Sequence, residues 1–291
     1  MATPEDRPDA PTLPAQRLRV VACLGSIADE EQTIEAALAL AGALHAEVAG
    51  CFVEESNLLD LAALPFARAV RPTGEASEPL DLPQMRQHIA GAAALWKRTL
   101  SARAERSRIA VTFDTMRGEY CAEIARVAAA TDIVVVNPEN VAGRARNAVA
   151  AILGAVRDPA VTVLLPGGRP RMQAGPVVLF APDGVPDAAA FRLADRVAST
   201  TGAGIVVAIL PEGGGQPEAI SAAASDAVRG KFRVRRLPTA DIGSAAASVG
   251  ELHPSFVIWP PRPDLAGRDA ETLLRATRAP LLLMRPERTP D

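Results

Sequence analysis

The side chains of this chain that could do chemistry are few and scattered. His45, His88 and His253 fall on separate predicted elements and at no metal-ligand spacing from any cysteine, so no metal site is expected. Cys23, Cys51 and Cys121 are odd in number, and two of them sit inside apolar, strand-like runs. They read as small buried hydrophobes with no disulfide framework, which fits a reducing, cytoplasmic setting. Ser26 has no histidine that spacing would bring to it, so nucleophilic catalysis finds no support and no catalytic residue is assigned. Glu54–Glu55 sit just where the second predicted strand should end and Arg117–Gly118 past the carboxyl end of the third, the edge at which open α/β sheets bind ligands. Glu54 could orient a small molecule there and Arg117 could meet an anion. The plainer readings are a solvated charge pair and a turn that Gly118 eases.

The elements that must position these residues repeat along the chain. A strand over 18–24 leads to a helix to about Ala46, opened by Asp29 with Gln32 three residues on, the pattern of a capping box. Strands follow at 47–53, 109–114, 132–137 and 161–165, with helices at 82–107, 119–130 and 144–157. Leu58, Leu59, Leu61 and Leu64 suggest a short amphipathic turn, and 71–79 reads as a mobile loop. Residues 166–175 carry glycines and prolines and mark a linker. Beyond it come strands at 177–181, 204–210, 232–237, 256–259 and 281–284, with helices at 187–201, 218–230, 241–252 and 268–277, after a glycine-rich break at 213–215. Five strands in the same order on each side indicate an internal duplication. The strands are continuous apolar runs, as in parallel sheets covered on both faces. The expected architecture is α/β, two tandem doubly wound five-stranded parallel-sheet domains. Residues 1–16 form a flexible tail, 17–166 the first domain, 167–175 the linker and 176–287 the second domain.

Composition narrows the function classes. The chain has 291 residues, 48% of them hydrophobic and only 3% aromatic, so the cores are built from Ala, Val, Leu and Ile. The net charge is -3, and residues 1–166 hold 16 basic and 21 acidic side chains against 15 and 13 in 167–291. Neither half is a basic platform, so no nucleic-acid partner is expected. The proline-rich start has no apolar core and is not expected to be a signal peptide. No uncharged apolar stretch of about 18 residues suggests a spanning helix, so no membrane partner is expected either.

These elements resemble the universal stress protein family. The resemblance is carried by Val20-Val21-Ala22-Cys23-Leu24-Gly25-Ser26, by Met116-Arg117-Gly118 with Ile124 and Ala128, and by Thr131-Asp132-Ile133-Val134-Val135-Val136. The stretch from Phe52-Val53-Glu54-Glu55 to Leu64-Pro65-Phe66-Ala67-Arg68 looks like a segment of some bacterial members. The second half is similar in architecture, with Asp183-Gly184 after its first strand. In nucleotide-binding members an Asp ends the first strand, and a loop G-x2-G-x9-G-[ST] after the fourth holds the phosphates on backbone N–H groups. Here the Asp position is Leu24, although Gly25 and Ser26 remain. Asn137 and Asn140 stand at the first two loop glycines, Ala150–Ala151 or Ala148–Val149 at the third, and Pro138 lacks a donor N–H. Asn137 and Asn140 offer amides to a non-phosphate ligand, or cap a turn. In the second half the fourth strand runs into Trp259-Pro260-Pro261-Arg262-Pro263, which cannot form a nest of amides.

The resemblance therefore implies a non-enzymatic stress-response regulator or adaptor that binds a protein partner or small molecule. No cofactor is expected, and no ATP held in the family manner. Family members commonly dimerise through their last strands, so 161–165 and 281–284 are expected to pair within one chain as a pseudo-dimer. A homodimer stands open beside it. The alternative is an ATP or AMP sensor with an altered phosphate loop and slow ATPase activity, using Asp183, Gly25 and Ser26. The wider adenine nucleotide α-hydrolase-like enzymes share the α/β order, but their S-G-G-x-D-S type loop follows neither first strand.

Overall fold

Apolar runs rich in β-branched residues pair into one ten-stranded sheet. The computed structural model describes residues 18–69, 78–128, 132–141, 148–156, 161–165, 174–182, 184–211, 216–225, 227–239, 241–260 and 267–284. The expected tail, the glycine-rich break and most of the 71–79 loop and of the linker lie outside these residues.

In chain order the first half comprises β1 (Arg19–Leu24), α1 (Glu31–Leu44), β2 (Glu47–Glu55), α2 (Ser56–Ala62), a small hairpin of β3 (Arg68–Ala69) and β4 (Glu78–Pro79), α3 (Leu82–Ser107), β5 (Val111–Gly118), α4 (Tyr120–Val127), β6 (Ile133–Val136), a 3-10 turn (Pro138–Asn140), α5 (Ala148–Ala155) and β7 (Val161–Leu164). The second half comprises β8 (Val177–Ala181), α6 (Ala188–Thr201), β9 (Ile205–Ile209), α7 (Pro217–Ser225), β10 (Phe232–Arg236), α8 (Ile242–Gly250), β11 (Phe256–Trp259), α9 (Gly267–Thr277) and β12 (Leu281–Met284).

Polar side chains set the helix starts. The Asp187 carboxylate accepts the Ala190 N–H at 2.7 Å to open α6, and Asp241 accepts that of Ser244 at 2.8 Å to open α8. At the start of α1 the Asp29 carboxylate accepts the Glu31 N–H at 3.1 Å. Gly202, at φ 68°, ends α6 in the left-handed conformation that glycine adopts without strain.

The sheet runs β10-β9-β8-β11-β12-β7-β6-β1-β2-β5. Within each half the order is third, second, first, fourth, fifth, so the two halves repeat one topology. All neighbouring strands are parallel except at the centre. There β7 and β12 pair antiparallel, with Leu164 opposite Leu281 and Val161 opposite Met284. The runs nominated for pairing on sequence grounds thus lie side by side. Val163, Leu164, Leu281 and Leu282 are fully buried at this seam. Burying a side chain of that size is worth about 1.5–3 kcal/mol.

Helices α1, α3, α6 and α7 cover one face and α4, α5, α8 and α9 the other, each over an apolar core continuous across both halves. Helix α1 packs on α6 and α5 on α9, so the halves also meet through their helices.

Three sequence expectations need correction. β2 continues through Glu55 and β5 through Gly118, beyond the expected ends at 53 and 114, because the strands stay in register to Glu55↔Gly118. Arg117 and Gly118 are therefore ladder residues and not the turn before α4. Helix α7 ends at Ser225, not near Gly230, and the chain there turns over the Asp195 carboxylate, which accepts the N–H groups of Arg229 and Gly230.

Candidate functional site

In a doubly wound sheet the crossovers leave the first and fourth strands in opposite directions, opening a crevice at their carboxyl ends. In the first half that point lies between β1 and β6, which pair from Val20↔Ile133 to Cys23↔Val136. The chain leaves β1 through Gly25, Ser26, Ile27 and Ala28 and leaves β6 through Asn137 and the 3-10 turn. Four of the residues singled out on sequence grounds, Gly25, Ser26, Asn137 and Asn140, meet here.

Side chains of the protein fill the crevice. Asn140 is buried and lies over Gly25 so closely that a Cβ at Gly25 would stand 2.3 Å from Asn140 Oδ1. The Asn140 oxygen accepts the Ala28 N–H at 3.1 Å. Its amide nitrogen donates to Glu30 Oε1 and, at 3.3 Å, to the Tyr120 hydroxyl. Glu30, just ahead of α1, has no solvent exposure, and its carboxyl also accepts the Gly25 N–H at 2.8 Å and is hydrogen-bonded to the Thr33 hydroxyl. Tyr120, at the start of α4, donates its hydroxyl to the Cys23 carbonyl at 2.9 Å. Asn137 Oδ1 accepts the Glu139 N–H at 3.0 Å, which sets the 3-10 turn and faces Asn140 inward.

Electrostatics follow from this burial. Loss of water pushes the Glu30 carboxyl up to about 7, against the three hydrogen bonds that favour its charged form. Burial raises the Tyr120 hydroxyl well above its usual range, with Glu30 adding to the effect. The Gly25 and Ala28 amides, which could have faced an anion, are already satisfied by Glu30 and Asn140. Glu30 has no solvent contact in this arrangement, and its carboxyl is engaged by the Gly25 N–H, the Thr33 hydroxyl and the Asn140 amide.

The remaining sequence candidates lie elsewhere. Glu54 and Arg117 form an ion pair across β2 and β5, with Arg117 Nη2 and Nε at 2.9 and 3.1 Å from Glu54 Oε2. Gly118 ends β5 against the Glu123 side chain, 2.5 Å from where a Cβ would stand. Glu55 departs from the solvated pair expected with Glu54. It is buried because the strand's two-residue alternation turns it inward, where it accepts the Tyr120 N–H at 3.1 Å and the Asn57 amide at 2.9 Å. In the second half Gly184 takes φ 131° in the turn after β8, a conformation that favours glycine, and Asp183 lies outside the described residues. The Phe180 and Trp259 rings meet edge-to-face at 5.6 Å near the corresponding crevice.

Sequence reasoning did not find Glu30, Thr33 or Tyr120. Glu30 sits in the acidic run Asp29-Glu30-Glu31, which reads as helix-start charge. A signal was available in Tyr120, the sole tyrosine of the chain. Among the described residues no cluster of His, Cys, Asp or Glu could hold a metal ion, and no helix is long and apolar enough to cross a membrane.

No protein-family model and no curated protein matches the chain. Solved structures do. A universal stress protein from Archaeoglobus fulgidus is similar at TM-score 0.57 and 12% identity over 92% of this chain and 96% of its own. A putative universal stress protein from Pseudomonas aeruginosa is similar at TM-score 0.54 and 13% identity over 94% of both chains. A functionally unknown protein from Pseudomonas aeruginosa follows at TM-score 0.52 and 11% identity over 94% of both. With nearly the whole of both chains superposed, this protein has the fold of the universal stress proteins.

Proposed function

We propose that this protein is a non-enzymatic, stress-protein-like regulator or adaptor that acts by binding, and that its first-half crevice does not hold ATP by a backbone phosphate cradle. The observation that carries this reading is the plugged switch point. Asn140 occupies the space over Gly25, and Glu30 and Asn140 consume the amides of Gly25 and Ala28. A phosphate group entering there would have to displace Asn140 and break its hydrogen bonds to Ala28 and Glu30. The chain's first-strand end at Leu24 and its Asn137-Pro138 turn support the same reading. The two halves, joined through β7 and β12, act as the intramolecular counterpart of a stress-protein dimer, leaving β5 and β10 as the outer edges.

The test is calorimetric titration of ATP with magnesium into protein freed of bound nucleotide. No heat and no thermal stabilisation are expected with ATP raised to about 1 mM. Binding at about micromolar affinity would overturn the reading and favour a nucleotide sensor with a rearranged loop.

A further inference from the structure

Strand β10 is one outer edge of the sheet. Among the described residues it pairs only with β9, so half of its backbone groups face outward without a strand partner. Its residues carry an unusual charge pattern. From 229 to 236 the chain reads Arg-Gly-Lys-Phe-Arg-Val-Arg-Arg, five cations with no acid. Arg229, Lys231, Arg233, Arg235 and Arg236 are all exposed. Among the described residues none of these five side chains has a hydrogen-bond or ion-pair partner. Across the ladder Arg233, Arg235 and Arg236 face Val206, Ala208 and Ile209, so the neighbouring strand offers no carboxylate. The opposite outer edge differs: on β5, Arg117 is neutralised by Glu54 of β2. Asp195, beside the start of the strip, spends a carboxylate oxygen on the backbone N–H groups of Arg229 and Gly230.

The backbone geometry matches this charge. The Leu237 N–H reaches the Ile209 carbonyl at 2.8 Å, so by the two-residue repeat the N–H groups of Val234 and Arg236 point to the open side. Phe232 and Val234 pack inward, Phe232 with its ring against Phe191, which leaves the strip without an exposed aromatic on which bases could stack. Unpaired main-chain groups flanked by cations fit an extended chain that brings its own amides and carboxylates.

We propose that the open edge of β10 docks an extended, acidic segment of a partner protein, which adds to the sheet as a further strand and sets carboxylates against Arg233 and Arg235 on one face, with Arg236 on the other. Main-chain hydrogen bonds fix the register and the arginines select the charge. This surface lies apart from the β1/β6 crevice, so it stands or falls independently of nucleotide binding there.

The test uses the full chain and a fluorescent peptide of about six residues that alternates Glu with Val, read by anisotropy at low salt. Saturable binding is expected, weakening as salt rises. It should fall about tenfold or more in the Arg233→Glu/Arg235→Glu/Arg236→Glu variant, and vanish when alternate peptide amides are N-methylated. The peptide comparison needs no altered protein, so it decides the matter even if the triple variant fails to fold. Absence of binding would overturn the proposal, as would equal binding of the methylated peptide. Tighter binding of a single-stranded oligothymidylate would overturn it in favour of a nucleic-acid surface.

Discussion

Replacing Glu30 by Gln isolates the cost of a buried carboxyl at the centre of the crevice. Burial moves this group from 4.5 to about 7. A folded-state value above the unfolded one means that the native protein binds the proton more tightly. The stability Glu30 contributes is therefore complete below about pH 4.5 and is lost as pH rises through about 7. A displacement of this size corresponds to about 3 kcal/mol, at about 1.4 kcal/mol for each unit. That is a large share of the roughly 5–15 kcal/mol that holds a typical domain folded.

Gln is the neutral isostere of protonated Glu. Its oxygen can accept from Gly25 and Asn140 while its amide donates to Thr33, so the network survives. The assay is urea unfolding across about pH 5–9, followed by circular dichroism. The native sequence should lose stability across this range relative to Glu30→Gln, and above about pH 8 the variant should be the more stable by about 2–3 kcal/mol. Subtracting the two curves removes every other titrating group. A difference that stays flat with pH would refute the reasoning, because it would mean that the carboxyl is hydrated or its charge compensated in the folded protein.

Gly25→Ala should cost about 1–3 kcal/mol in urea unfolding, since the added methyl meets Asn140 at 2.3 Å. Combining it with Asn140→Gly should recover much of that clash energy in a double-mutant cycle. Arg19 binds Asp132 through two nitrogens, at 2.6 and 3.2 Å, and donates to the Val127 carbonyl at 3.1 Å. Arg19→Ala leaves the Asp132 carboxylate buried without that cation and should lower stability by about 2–3 kcal/mol, with the exposed share of the guanidinium holding the loss below that of a fully buried pair. All three thiols are buried, and burial pushes Cys51 and Cys121 up to about 12 and Cys23 higher than its usual range. An aromatic disulfide reagent at neutral pH should label none of them in the folded protein and all three in urea. Rapid labelling of native protein would contradict this placement.

Periodicity made most of the fold legible. Runs such as 133–136 and 281–284 are apolar at every position because both sheet faces are covered, and their shortness, with β-branched content in 133–136, separates them from buried helix segments. The repeat of five strands and the helix starts at Asp187 and Asp241 rest on local signals, while the pairing of β7 with β12 is implied by the family resemblance and agrees with the rule that an apolar edge needs cover. Half of the crevice was legible too. Gly25, Ser26, Asn137 and Asn140 follow strand ends, and chain order alone delivers them to the carboxyl edge.

The remainder depended on separations that a sequence does not display. Glu30 and Asn140 are 110 positions apart, and Tyr120 and Cys23 are 97 apart. Whether an acid beside a helix start is solvated or sealed is decided by what the returning chain lays over it. Glu54 and Glu55 make the same point, since adjacent carboxylates differ in fate only because successive strand residues face opposite sides. The charge of the second half, 15 basic against 13 acidic, likewise conceals the strip on β10. Composition averages over the chain, while strand pairing gathers cations on one edge where, among the described residues, no acid pairs with them. The primary structure determined the elements and their order, because those follow from local periodicity. Only the tertiary structure decided that the crevice between β1 and β6 is filled and which strands end the sheet among the described residues, because both depend on contacts between distant segments.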